Sequence, residues 1–150
     1  MNRFEFRQRI SERPLLLDGA MGTMLYTKGV PIDQSFDAIN QYSPAIVADI
    51  HRAYIAAGAD VIETNSFGAN RFKLAEYGLQ TEVVEINRAA VDVARLVIEG
   101  SFKPVLLAGS VGPLGVRLAP LGRVSAAEAE TAFQEQIGAL IKAGVDFIIL

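Results

Sequence analysis

Ala56-Ala57-Gly58-Ala59-Asp60-Val61-Ile62 is the stretch that decides how this chain folds. An apolar stripe at helical spacing (Ile46, Val47, Ile50, Tyr54, Ala57) ends at Gly58, the residue type that best tolerates the left-handed conformation closing a helix. Asp60 follows, and Val61-Ile62 opens a run through Glu63-Thr64 that is apolar without alternation at its start. Such a run suits a parallel strand covered on both faces. The same succession returns at Lys142-Ala143-Gly144-Val145-Asp146-Phe147-Ile148. A recurring joint from helix to buried strand favours a regularly wound α/β barrel over an irregular α+β fold, with a doubly wound open sheet as the rival.

Working outward, three further apolar runs qualify as strands: Leu15-Leu16-Leu17 before Asp18-Gly19, Val105-Leu106-Leu107-Ala108 before Gly109, and Phe147-Ile148-Ile149-Leu150. Helical patterns fill the gaps. Ser43 is placed as an N-cap with Pro44 at the first helical position. Asn70 to Tyr77 is a short helix capped by Asn70 and closed by Gly78. Val83, Ile86, Ala90, Val93, Ala94 and Val97 form the buried side of a longer one. Ser125-Ala126-Ala127-Glu128 is a capping box, and its helix turns Ala129, Phe133, Ile137, Leu140 and Ile141 inward before Gly144. The order β-α-β-α-β-α-β makes about four βα units. With 150 residues, that predicts the first half of a (β/α)8 barrel, truncated after its fourth strand. Two open sheet edges would then invite aggregation unless they pair.

Composition narrows the function. A formal net charge of −3 offers no basic footprint for nucleic acid. The absence of Cys removes disulfides and thiolate chemistry from these residues, and the single histidine, His51, has no Cys or second His to form a metal or catalytic set. No apolar run reaches the roughly 20 residues of a membrane span. The Arg-rich opening Met1 to Ile10 is predicted to be a short surface helix rather than a transit peptide, because Glu5 and Glu12 are acidic, and a cytoplasmic protein is the default.

Three predicted strands run into small or polar residues: Asp18-Gly19-Ala20-Met21-Gly22-Thr23, Glu63-Thr64-Asn65-Ser66-Phe67-Gly68-Ala69-Asn70 and Gly109-Ser110-Val111-Gly112-Pro113-Leu114-Gly115. In barrel and open sheet alike, ligands bind at these strand ends. Exposed backbone N–H groups there can hold a carboxylate, and Asp18 can accept from an ammonium, which together suit an amino acid. The plainer alternatives are tight turns for the glycines, capping for Asp18, Asn65 and Asn70, and a salt bridge for Glu63. Gly109-Ser110-Val111-Gly112 matches neither a Walker loop nor a nucleophile elbow.

Taken in order and at their spacing, Leu16-Leu17-Asp18-Gly19-Ala20-Met21-Gly22-Thr23, His51-Arg52-Ala53-Tyr54 through Gly58-Ala59-Asp60-Val61, and the two later loops resemble the homocysteine S-methyltransferase (homocysteine-binding domain) family. The likeness is nearest to forms joined to a methylenetetrahydrofolate reductase, or to the homocysteine domain of cobalamin-dependent methionine synthase. The resemblance implies methyl transfer to the sulfur of L-homocysteine, giving methionine. It implies that Asp18 contacts the substrate ammonium and that Gly19, Ala20 and Met21 face its carboxylate. It puts Thr64, Asn65 and Phe67 at the pocket border, with Glu63 and Ser110 as further pocket candidates. It also implies zinc held by three cysteines beyond residue 150, so that no catalytic or metal-binding residue lies within these 150, and a folate or cobalamin methyl donor supplied through other domains. As it stands the chain is then expected to be inactive alone. A non-catalytic half-barrel binding module and another (β/α)8 enzyme with downstream catalytic residues are the competing expectations.

Overall fold

The computed structural model describes residues 3–150. Three parallel strands, β1 (Val61–Glu63), β2 (Leu106–Ser110) and β3 (Phe147–Ile149), stand in the order β1-β2-β3, and Leu17 bridges Val61 on the far side of β1. Each strand lies beside its predecessor, without the reversal that marks a doubly wound sheet. Seven helices are described: α1 (Arg3–Glu12), α2 (Met21–Thr27), α3 (Ile39–Tyr42), α4 (Pro44–Ala57), α5 (Arg71–Ala75), α6 (Val83–Glu99) and α7 (Ala126–Ala143).

The pleat explains why the strands carry no alternation. Ile62, Leu107 and Ile148 belong to the main core with α4, α6 and α7 residues. Their neighbours Val61, Leu106, Ala108, Phe147 and Ile149 cluster on the opposite face with Leu15 and Phe6. Phe6 of α1 stacks on Phe147 with ring centroids 4.8 Å apart. Both faces are therefore apolar, as a doubly covered parallel sheet requires.

The recurring Gly-x-Asp joint has a common mechanism. Gly58 and Gly144 sit at φ 117° and 102°, where a side chain would be strained. Asp60 then accepts from the Leu16 N–H at 3.0 Å while its own N–H donates to the Leu16 carbonyl at 2.7 Å. Asp146 does the same with Leu107, at 2.7 and 2.8 Å. Each aspartate thus stitches its incoming segment to the preceding strand. Arg13 reinforces the first stitch with two 2.8 Å bonds, and this pairing holds the Asp60 carboxyl well below the usual carboxylate range.

Helix ends follow their sequence signals with one exception. Asn70 accepts from the N–H groups of Phe72 and Lys73, and Ser125 and Glu128 form the complete capping box. Ser43, placed as an N-cap, makes no side-chain cap bond: at φ −148° and ψ 59° it lies outside the extended conformation from which a cap reaches forward. The predicted strand Leu15–Leu17 reduces to a single bridge. In α4, Ala57 faces solvent, while Ala48, His51 and Ile55 take inward positions. In α7, Ile141 is 60% exposed, because the buried stripe runs Ala129, Ala132, Gln136, Ala139, Leu140. The opening helix is present from Arg3, with Phe4 and Ile10 exposed; Met1 and Asn2 lie outside the described residues. Among the described residues no helix is long and apolar enough to cross a membrane.

Leu107 is fully buried at the centre of the sheet, so Leu107→Ala is expected to cost about 2–5 kcal/mol in urea unfolding. Ser125→Ala should cost about 1 kcal/mol and Ile141→Ala less than about 0.5 kcal/mol. Equal losses at positions 107 and 141 would contradict this packing.

Candidate functional site

A cavity of about 860 Å³ opens where the strands end. Three segments reach it from the sheet: Asp18 to Thr23 after the Leu17 bridge, Glu63 to Gly68 at the end of β1, and Ser110 at the end of β2. All nine residues singled out in the sequence (Asp18, Gly19, Ala20, Met21, Glu63, Thr64, Asn65, Phe67 and Ser110) therefore line one space. The pleat accounts for two of them. Glu63 and Ser110 continue the face carrying Val61, Leu106 and Ala108, so the apolar face of the sheet becomes polar at its last residues.

A hydrogen-bonded chain orders this rim. Asp18 accepts from the Glu63 N–H at 3.0 Å, and Glu63 accepts from the Ser110 hydroxyl at 2.6 Å. The Ser110 N–H donates to the Thr64 hydroxyl oxygen at 3.0 Å. Ser66 spends its proton on the Ser110 carbonyl at 2.8 Å, so in the 2.6 Å contact between Thr64 and Ser66 the donor is Thr64. Gln136, buried in α7, donates to the Ser66 carbonyl at 2.6 Å.

Asp18 and Glu63 thus face the cavity as neighbouring carboxylates. Burial, opposed by the Glu63 N–H and aided by the negative charge of Glu63, pushes the Asp18 carboxyl up to about 7. The turn after it is shaped by Tyr54, whose hydroxyl donates to the Ala20 carbonyl at 3.1 Å and would stand 2.9 Å from a Cβ at Gly19. Ala20 starts α2 without a side-chain cap.

Other residues serve the framework. Thr64 is 3% exposed and its hydroxyl is spent inside the rim. The Asn65 amide donates to the Phe36 carbonyl at 2.7 Å and to Asn40 at 3.2 Å, fastening the segment before α3. Of the third glycine-bearing loop only Ser110 reaches the cavity. Gly112 turns instead against Phe67, donating its N–H to the Phe67 carbonyl at 3.0 Å.

Sequence reasoning missed the opposite wall, made by Ile32, Gln34, Ser35, Phe36 and Asp37 and by Lys73, Glu76 and Tyr77. The first group lies in an aperiodic loop without a motif. The second sits on and just after α5, a helix too short to show a polar face in sequence. Asp37 accepts from the Gly68 N–H at 2.9 Å, and burial pushes its carboxyl up to about 6.

No group of three or more His, Cys, Asp or Glu among the described residues has the arrangement to hold a metal. His51 is fully buried in α4 with both ring nitrogens unpaired, and desolvation pushes it down to about 4, so it is a packing residue. The thiolate set that the resemblance implies has no counterpart here, and these residues do not fit a zinc site.

A parallel α/β sheet in sequence order, with a cavity at the carboxyl ends of its strands, places the chain among α/β proteins of the kind whose chemistry sits in the loops. Within that class, residues 15–150 match the family model described as homocysteine S-methyltransferase, and the chain belongs to that family. It is 31% identical to methionine synthase of Mycobacterium tuberculosis and 28% identical to that of Mycobacterium leprae, over 94% and 95% of this chain and 12% of each relative. It superposes on the metallated form of the homocysteine methyltransferase MmuM from Escherichia coli with a TM-score of 0.80 and 27% identity, covering 95% of this chain and 55% of that one. The chain thus spans about an eighth of those methionine synthases and about half of that methyltransferase.

With its carboxyl raised from the ordinary 3.8 to about 7, Asp18 binds its proton more tightly in the folded state than in the unfolded one. The stability it permits is therefore complete below about pH 4 and is lost as pH rises through about 7. Asp18→Asn removes that loss. The variant should unfold at higher urea than the parent at pH 8, by about 1–2 kcal/mol after allowance for solvent screening, and match it at pH 4. A variant less stable at pH 8 than at pH 4, relative to the parent, would contradict the assignment.

Proposed function

We propose that residues 1–150 are the N-terminal part of a homocysteine-binding (β/α)8 barrel domain and that the cavity takes the amino-acid end of L-homocysteine. The sequential parallel sheet supports the barrel, as does the likeness covering about half of a homocysteine methyltransferase. The observation that carries the substrate is the pair of carboxylates, Asp18 and Glu63, beside the turn Gly19-Ala20-Met21. Asp18 pairs with the substrate ammonium, and Glu63, fixed by Ser110, adds the second negative charge that favours a cation. The backbone N–H groups of the turn take the carboxylate. The framework bonds of Thr64 and Asn65 keep this grip from shifting, and Phe67 borders the space left for the thiol-bearing chain.

The reaction is methyl transfer to sulfur. After the thiol proton leaves to solvent, a sulfur lone pair forms the new S–CH3 bond. The donor–CH3 bond breaks with its electron pair on the donor, giving methionine and demethylated donor. The thiolate is the nucleophilic form, and zinc, where this family uses it, lowers the cost of making it. The ligands for that ion would come from residues other than these 150, so this chain alone is expected to lack methyltransferase activity. Its own contribution is orientation: holding the amino acid so that the sulfur meets the methyl carbon. The family's folate or cobalamin donors would be presented from other domains.

The test is calorimetric titration of an intact polypeptide bearing these residues with L-homocysteine. Asp18→Asn should weaken binding roughly tenfold or more, the scale of a lost charge-assisted hydrogen bond. It should leave 4-mercaptobutyrate, which has no ammonium, unaffected. Affinity should rise with pH through about 7, as Asp18 ionises. Binding that is flat from pH 6 to 8 and indifferent to Asp18→Asn would sink the assignment.

A further inference from the structure

The segment that delivers Asp18 to the cavity has little strand of its own. Leu15–Leu17 contributes one bridge residue, where β1 and β2 pair over three, and the turn after it enters α2 with no side-chain cap at Ala20. Its position is therefore set from the neighbouring strand and helix. Asp60 holds Leu16 by both backbone groups, and the Asp18 N–H donates to the Val61 carbonyl at 3.0 Å. Those two holds end at Asp18. Beyond it, among the described residues, Tyr54 is the one side chain that hydrogen-bonds to the Gly19-Ala20 turn, its hydroxyl donating to the Ala20 carbonyl at 3.1 Å.

Tyr54 stands in the last turn of α4, where the Ala59 N–H donates to its carbonyl at 3.1 Å across the left-handed Gly58. Its ring lies against Gly19: a Cβ there would meet the hydroxyl oxygen at 2.9 Å and two ring carbons at 3.1 and 3.3 Å. Gly19 is not at positive φ, so backbone freedom does not account for the glycine. The ring does. Ala20 and Met21 line the cavity, whereas Tyr54 does not. A peptide group is planar and trans, so its C=O and N–H point in opposite directions. By holding the Ala20 carbonyl on the side away from the cavity, Tyr54 turns the Met21 N–H of the same group towards it. Burial and the nearby charge of Asp18 push the phenol above its ordinary range, so the hydroxyl keeps the proton that this bond uses.

We propose that Tyr54 is a positioning residue for the substrate carboxylate: its hydroxyl, on the Ala20 carbonyl, presents the Met21 N–H, and its ring requires glycine at position 19. The proposal rests on the homocysteine reading of the cavity, and a crossed experiment separates the two. The intact polypeptide is titrated calorimetrically with L-homocysteine, with 4-mercaptobutyrate, which lacks the ammonium, and with 3-mercaptopropylamine, which lacks the carboxylate. Tyr54→Phe should weaken L-homocysteine and 4-mercaptobutyrate roughly three- to tenfold, the scale of one lost hydrogen bond, and leave 3-mercaptopropylamine within about twofold. Asp18→Asn should do the reverse, weakening the two ammonium ligands and sparing 4-mercaptobutyrate. A merely structural role for Tyr54 would move all three ligands together. The rise of homocysteine affinity through about pH 7, set by Asp18, should persist in Tyr54→Phe. Gly19→Ala should weaken the carboxylate ligands in the parent but add less than about twofold to Tyr54→Leu, because the atoms the new methyl would strike lie at the far end of the ring. Equal losses for all three ligands with Tyr54→Phe, no loss for any, or the same cost of Gly19→Ala in both backgrounds overturns the positioning role. If L-homocysteine does not bind the parent, or binds regardless of Asp18→Asn, the substrate reading falls and this inference with it.

Discussion

The hydrogen-bonded chain from Asp18 through the Glu63 N–H, the Glu63 carboxylate, Ser110 and Thr64 is the constraint on which the rest of the site depends. It joins the ends of three neighbouring segments of the sheet, and each link is made at or beside a backbone group whose position the strands already set. Because Ser66 and Gln136 extend it to α7, the rim is fastened to the helical layer as well as to the sheet. Two carboxylates can therefore be kept close together beside the cavity, an arrangement that costs stability when both are ionised. Perturbed carboxyl groups of this sort are characteristic of binding and catalytic sites, where local stability is given up for function.

Below the rim, the fold is held by a device used twice. Asp60 and Asp146 each clasp both backbone groups of one residue on the preceding strand, Leu16 and Leu107. This sets the register of Leu17 against Val61 and of Ala108 against Phe147, and register decides which face Glu63 and Ser110 join. A slip by one residue would turn both polar groups into the helix-covered core. The chemistry at the top of the sheet is in this sense inherited from the aspartates at its base.

Much of this was legible in the sequence because it rests on local rules. The glycine stops at positions 58 and 144, the Asn70 and Ser125 caps and the buried stripe of α6 follow from backbone conformation and helical spacing alone. The loops that line the cavity were legible too, since parallel strands deliver their carboxyl ends to one side. What escaped was set by tertiary contacts. Gln136 is buried and Ile141 exposed because of where α7 meets the Ser66 loop, which helical periodicity does not encode. Asn65 carries the residue type of a binding group, yet its amide is committed to Phe36 and Asn40 across the fold. For the glycines of the third loop the sequence left ligand contact and plain tight turns both open, and two of them make space for Phe67 and Lys73. Lys73 itself is invisible as a site residue until α5 and that loop are brought together.

The central claim is that Asp18 is a carboxyl poised by burial to accept an ammonium group. Carbon-13 NMR of the Asp18 carboxyl, followed across pH in the free and the L-homocysteine-bound protein, tests it most directly. The account requires a midpoint near 7 in the free protein and a fall of more than one pH unit on binding, as the substrate cation stabilises the charged form. A midpoint near that of an ordinary carboxyl, or one that stays in place when homocysteine binds, would contradict it.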